Sequence, residues 1–228
     1  MSISVDIQND VALITMDDGK ANAVNFDLMV ALNEALDKAE TDAKAIVLTG
    51  REGRFSGGFD LGMMGSFTRE DSGRLLDRAS ELLLRLYGGP MPVVGACNGH
   101  AIAMGVFLLM ACDTRIGAAG DFKLGANESI TGMTLPVFAV ELARDRLSPL
   151  HQTRAMIQAF IYDPKGAVEA GYLDMLVDSD KVIGQATAIA GQLARLPGHA
   201  YAYQKSAMRQ PALGAIRASI GNHPNLRN

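Results

Sequence analysis

The stretch from residue 101 to residue 112 is the longest apolar run in the chain, and it constrains the fold more than any other segment. It is too short to span a bilayer, so protein has to surround it on all sides. From Met104 to Ala111 it reads as a helix with no polar face, and such a helix belongs at the centre of a core. The sequence around it alternates between short apolar runs and amphipathic stretches. Residues 45–49 and 92–96 read as buried strands, Thr114–Ala118 and 122–124 as short ones, and Asn98-Gly99 as a turn. Residues 3–8 and 11–16 alternate around Asn9-Asp10 as a hairpin, and 17–25 form a polar loop. Leu28, Met29, Leu32, Leu36 and Ala39 recur at helical spacing over 26–39. Leu75, Leu76, Leu82, Leu83 and Leu86 do so over 72–87, before Gly88-Gly89-Pro90 stops the helix. Helices then dominate, over 136–147, 152–158, Pro164–Ala170, 182–196 and 201–208. This order predicts an α/β core followed by a helical C-terminal part.

Bulk properties narrow the function. The chain has 228 residues, enough for one large domain, and a net charge of −4 with no Lys/Arg cluster. Nucleic acids and anionic membrane surfaces are therefore not expected partners. The two cysteines, Cys97 and Cys112, lie in apolar surroundings, as reduced thiols of a cytoplasmic protein do. The N-terminal residues carry neither a basic region nor an apolar one, so no signal peptide is read. The histidines show no metal-ligand spacing.

Three segments could carry chemistry. In Phe55-Ser56-Gly57-Gly58-Phe59-Asp60-Leu61, two adjacent glycines at a strand exit allow a tight turn with outward-facing amides. In residues 98–107 a small-residue turn runs into the apolar helix, whose first amides lack intrahelical partners. Two such donors from different loops make an oxyanion hole, although the same pattern also serves as plain α/β punctuation. The third segment, 125–136, contains Glu128 in a stretch otherwise nearly free of charge. It is either a carboxyl among apolar neighbours, with the raised pKa of a proton shuttle, or a glutamate of a surface turn. Asp60 and Asp113 read as groups that cap or orient loops, His100 as a structural or rim histidine, and Glu81 with Arg85 as a solvated helical pair.

Taken in order, Lys20-Ala21-Asn22-Ala23, the strand and loop over 46–63, residues 92–113 and residues 127–136 resemble the crotonase (enoyl-CoA hydratase/isomerase) superfamily. Phe55, Gly58 and Asp60 match the family's FxxGxD loop, and Asn98, Gly99, Ala101, Gly105, Cys112 and Asp113 match its NG-x-A helix segment. The resemblance implies a spiral of ββα units over 1–195 and a short helical trimerisation region over 196–228, in a homotrimer or a dimer of trimers. It implies a coenzyme A thioester as substrate, with no separate cofactor, and an oxyanion hole built from the backbone N–H groups of Phe59 and Met104. The implied coenzyme A contacts are Lys20, Ala21, Phe55, Ser56, Gly57, Gly58, Asp60, Leu61 and Gly105. Where many relatives have a lysine two residues after the loop aspartate, this chain has Gly62. Hydratases of the family use two glutamates; here those positions fall on Phe107 and Glu128. One retained carboxyl resembles the Δ3,Δ2-enoyl-CoA isomerases and makes Glu128 the implied proton shuttle. The alternatives are hydration or other enolate chemistry, with a second carboxylate supplied from 65–72, and acyl-CoA binding without catalysis. The C-terminus is shorter than the resemblance leads one to expect, which would leave the acyl site open or filled by a neighbouring subunit.

Overall fold

The computed structural model describes residues 2–223 and Leu226. Met1, and in the terminal stretch Pro224, Asn225, Arg227 and Asn228, lie outside the described residues. Strands β1 (Ser2–Gln8) and β2 (Val11–Asp17) form the expected antiparallel hairpin, with Asn9 and Asp10 both at positive φ in the turn. The chain then repeats one motif: a strand in a large sheet, a short strand in a smaller sheet, then a helix. β2 is followed by β3 (Ala23–Val24) and α1 (Phe26–Asp42). β4 (Ala45–Gly50) is followed by β5 (Gly53–Ser56), β6 (Gly58–Phe59), α2 (Leu61–Met64) and α3 (Arg69–Gly88). Next come β7 (Val93–Cys97), β8 (Gly99–Ile102) and α4 (Met104–Ala111), then β9 (Thr114–Ala118), β10 (Leu124–Gly125), α5 (Glu128–Thr131) and α6 (Val137–Arg146). The rest is α7 (Pro149–Gln152), α8 (Pro164–Ala170), β11 (Met175–Val177), α9 (Val182–Leu193) and α10 (Gly198–Ser219). The large sheet runs β1-β2-β4-β7-β9-β11 and is parallel apart from the first pair; β10-β8-β5 and β3-β6 form the smaller ones.

Side chains of β4 alternate between two cores, as the strand period of two requires. Ile46 and Leu48 pack with α1, α3, α4 and α6, while Ala45 and Val47 face Val182, Ala186 and Ala190 of α9. Every residue of α4 is buried, so the apolar run does occupy the centre. Helix starts follow local chemistry: Asn25 accepts a bond from the Leu28 N–H, and Thr68 with Asp71 forms a capping box at α3. Asp113, at the end of α4, accepts bonds from the Val93 N–H at 2.8 Å, Lys205 Nζ at 2.9 Å, Tyr201 Oη at 2.9 Å and Arg209 Nη1 at 2.6 Å. This carboxylate fastens α10 to the core, the structural role read for it.

Several expectations need correction. Asn98-Gly99 is not a free turn: Gly99 opens β8, paired to β5 and β10. Residues 152–158 divide between α7 and a π-helical turn at Thr153–Ile157. The helix read over 201–208 runs from Gly198 to Ser219, because tertiary packing carries it past Pro211. Glu81 does not pair with Arg85. It pairs with Arg78 at 2.9 Å, while the Arg85 guanidinium reaches across to Asp37 and Glu40 of α1 at 2.6 and 3.0 Å. No described helix is long and apolar enough to cross a membrane.

Candidate active site

The loop between β5 and β6 is held from below by Asn22. Its side-chain amide is buried and donates to the carbonyls of Met16, Arg54 and Phe55 at 2.8, 3.1 and 3.2 Å. The Ser56 hydroxyl donates to Asn22 O at 2.7 Å, and the Gly57 N–H to Ala21 O at 2.7 Å. Asn22 appeared in the sequence only as part of a motif, and its clamping role becomes visible once β2, β3 and β5 are brought together. Just past β6, the Asp60 N–H donates to Val24 O at 3.1 Å. Successive amides of an extended strand point to opposite edges, so the Phe59 N–H faces away from β3. Asp60 caps α2 by accepting from the Met63 N–H at 3.1 Å, the orienting role expected of it.

The second loop brings α4 up to the first. Ala103, its N-cap, has φ 51° and ψ −123°, a backbone conformation that strains a residue with a Cβ. The Ala103 N–H donates to Gly125 O at 2.9 Å, and its carbonyl receives Val106 and Phe107 at 3.0 and 3.4 Å. Met104 is the first helical residue, so its amide has no carbonyl four residues back to bond. The contact between the loops is close. A methyl on Gly58, whose φ is +92°, would lie 2.8 Å from Ala103 Cβ, 2.9 Å from Ile102 O and 3.4 Å from Met104 N. A methyl on Gly105 would meet Ser56 O at 2.4 Å. Gly58 and Gly105 are thus the two places where the backbones can touch.

Glu128 opens α5 just beyond the β10 exit. It is 7% exposed, and its Oε2 atom has no hydrogen-bond partner. Burial pushes its carboxyl above the ordinary range, an effect only partly offset by the backbone N–H groups of Glu128 and Asn127. The turn is closed by Gly132 in the left-handed region and by the Met133 N–H donating to Glu128 O at 2.9 Å. Phe59, Ala103, Phe107 and Glu128 line one cavity of about 200 Å³. Its other walls include Leu75, Leu76, Met133, Phe138 and Leu226, and among the described lining residues Glu128 alone carries a titratable side chain. Phe107 packs edge-on against Phe138, with ring centroids 5.7 Å apart. The carboxylates of 65–72 do not join them: Asp71 is committed to the capping box with Thr68, and Glu70 is exposed.

The expected coenzyme A contacts separate into two groups. Lys20, Ala21, Gly57 and Leu61 are exposed, Asp60 is partly so, and Gly57 and Leu61 line the cavity. Phe55, Ser56, Gly58 and Gly105 are buried, so they help to build the loops. Met104 is also buried and is not among the described lining residues; it follows directly on Ala103, which is. His100 stands apart, edge-on to Phe122 at 5.5 Å, with Nδ1 accepting from the Lys123 N–H. Leu226 carried no signal in the sequence, since nothing local to it indicates which cavity it meets. Among the described residues no three His, Cys, Asp or Glu side chains come together as metal ligands.

The enoyl-CoA hydratase/isomerase family model matches residues 6–220. The chain belongs to that family. A crystal structure of an enoyl-CoA hydratase/isomerase family protein from Pseudomonas syringae superposes with a TM-score of 0.93 at 40% identity, covering 96% of this chain and 95% of that one. The mitochondrial enoyl-CoA delta isomerase 1 of Mus musculus is 27% identical over 88% of this chain and 71% of its own length. A probable enoyl-CoA hydratase of Bacillus subtilis is 37% identical over 60% of this chain and 54% of its own. The ββα repeat is therefore the crotonase fold, and the chain is a hydratase/isomerase family enzyme.

Proposed function

We propose that this enzyme is a Δ3,Δ2-enoyl-CoA isomerase working with one carboxyl group. The observation that carries this reading is Glu128, the one titratable side chain among the described residues of a cavity otherwise lined by apolar and small polar groups. In the proposed reaction Glu128 takes a proton from C2 of a 3-enoyl thioester. The electrons of that C–H bond form the C1–C2 double bond of a dienolate, and negative charge develops on the thioester oxygen. The amides of Phe59 and Met104 stabilise that oxygen, as donors fixed before the reaction do best. The charge then returns from oxygen, C2–C3 becomes the double bond, and C4 takes the proton from Glu128. No water is consumed, and by the family resemblance Phe107 takes the position at which a hydratase has its second glutamate.

The raised pKa of Glu128 suits this role, because a base of higher pKa takes a carbon acid's proton more readily and still returns it. The coenzyme A part would enter past Lys20, Ala21, Gly57 and Leu61, with Asp60 holding the loop. Assembly into trimers, read from the resemblance, belongs to this proposal, and sedimentation tests it. A spectrophotometric panel of 2-enoyl-, 3-enoyl- and 3-hydroxyacyl-CoA esters tests the reaction. Conversion of 3-enoyl to 2-enoyl esters, without hydration of crotonyl-CoA, is the expected result. Hydration at a comparable rate would replace the proposal with hydratase chemistry, and tight binding without turnover would replace it with a carrier role.

A further inference from the structure

One wall of the cavity is supplied by a residue far from the others in sequence. Leu226 lines the cavity beside Ser72, Leu75 and Leu76 of α3. One anchor on that helix holds Gly221 and His223, a few residues before Leu226. Asp77 Oδ1 accepts the Gly221 N–H at 2.7 Å and lies 2.7 Å from His223 Nε2. The pair is largely shielded, the His223 and Asp77 side chains being 12% and 28% exposed. One turn earlier on α3 stands Gly73, where a methyl would lie 3.8 Å from both His223 Cδ2 and Leu226 Cδ1. Residues four apart share one helix face, so Gly73 supplies a shallow seat and Asp77 a polar clasp on the same side of α3.

We propose that Leu226, clasped to α3 through Asp77, sets the length of acyl chain that the cavity accepts. The proposal rests on the reading of the cavity as the acyl site of a coenzyme A thioester. A chain entering past Glu128 runs along Leu75 and Leu76 and meets Leu226 as the end wall. A methylene more or less in an apolar pocket changes kcat/KM by about 10- to 200-fold, so one leucine is enough to set a length limit. Asp77 is absent from the cavity lining; it is a positioning residue, acting through its bonds to Gly221 and His223.

The test is a length profile on the full-length enzyme. Dissociation constants of saturated acyl-CoAs, from hexanoyl to tetradecanoyl, are measured by calorimetry, and kcat/KM on the matching 3-enoyl esters is measured in parallel. The parent, Leu226→Ala, Leu226→Trp and Asp77→Ala are compared. Leu226→Ala and Asp77→Ala are expected to raise the ratio of long-chain to short-chain affinity by about tenfold or more, and Leu226→Trp to lower it. A profile of the same shape in all four proteins overturns the proposal. The calorimetric arm needs no turnover. A shifted binding profile with no isomerisation would therefore sustain the length limit while removing the isomerase reading, and normal isomerisation with an unmoved profile would do the reverse.

Discussion

Replacing Glu128 with glutamine is expected to lower turnover and raise stability in the same protein, and the two effects share a physical origin. The carboxyl is 7% exposed, its Oε2 has no partner, and burial lifts its pKa. The unfolded chain holds the same group near its ordinary value of about 4.3, so between the two values the folded state binds the proton more tightly. This group's contribution to the parent's stability is therefore fully present below about pH 4 and is lost as the pH rises through the folded-state pKa. The variant has no proton to lose, so its advantage grows with pH over that window and then stays constant. Each tenfold displacement of the protonation equilibrium is worth about 1.4 kcal/mol, which in a domain of this size moves Tm by about 3–6 °C. On 3-enoyl-CoA, loss of a positioned acid–base group lowers kcat by about 10²- to 10⁴-fold. The parent's own rate is expected to rise with pH through an inflection above the ordinary carboxylate range, since the ionised form is the base. The assays are denaturant unfolding at a series of pH values for both proteins and initial rates over the same series. Parallel stability curves would refute the account of a buried, unpartnered carboxylate, and a variant that isomerises at the parent rate would refute its role as the shuttle.

Further outcomes follow from the loop contacts and the core. Gly58→Ala places a methyl 2.8 Å from Ala103 Cβ at a φ of +92°. It is expected to lower kcat by about 10²- to 10³-fold with KM little changed, as oxyanion donors move apart; steady-state kinetics on refolded, monodisperse protein decides it. Asp113→Asn leaves Lys205 and Arg209, whose side chains are 3% and 11% exposed, facing a neutral amide. Denaturant unfolding should show a loss of about 3–5 kcal/mol. Phe107→Ala removes a ring that is 1% exposed and packed on Phe138, with an expected cost of about 3–5 kcal/mol by the same assay.

Much of this protein can be read locally. The apolar segment Met104–Ala111, the alternating hairpin and the leucine spacing of α3 fix which stretches become helix or strand, because periodicity alone decides which face can be buried. Ordered motifs supplied the family, and Glu128 and Phe107 supplied the contrast between one carboxyl and two. Partnerships between distant segments were not legible. Whether Glu128 was a surface turn residue or a buried carboxyl depended on α3, α4 and α6 closing around it. That Phe55, Ser56, Gly58 and Gly105 are all buried, with Gly58 and Gly105 where two backbones meet, could not be read from the motif that contains them. Arg85 reaches α1 rather than its helical neighbour, and Leu226 meets a cavity whose other walls lie well over a hundred residues earlier or close behind Glu128. Sequence spacing determines what a segment can be, since backbone geometry is local. Which buried groups end up alone, paired or facing a cavity is settled by packing, and packing is decided only when the whole chain has come together.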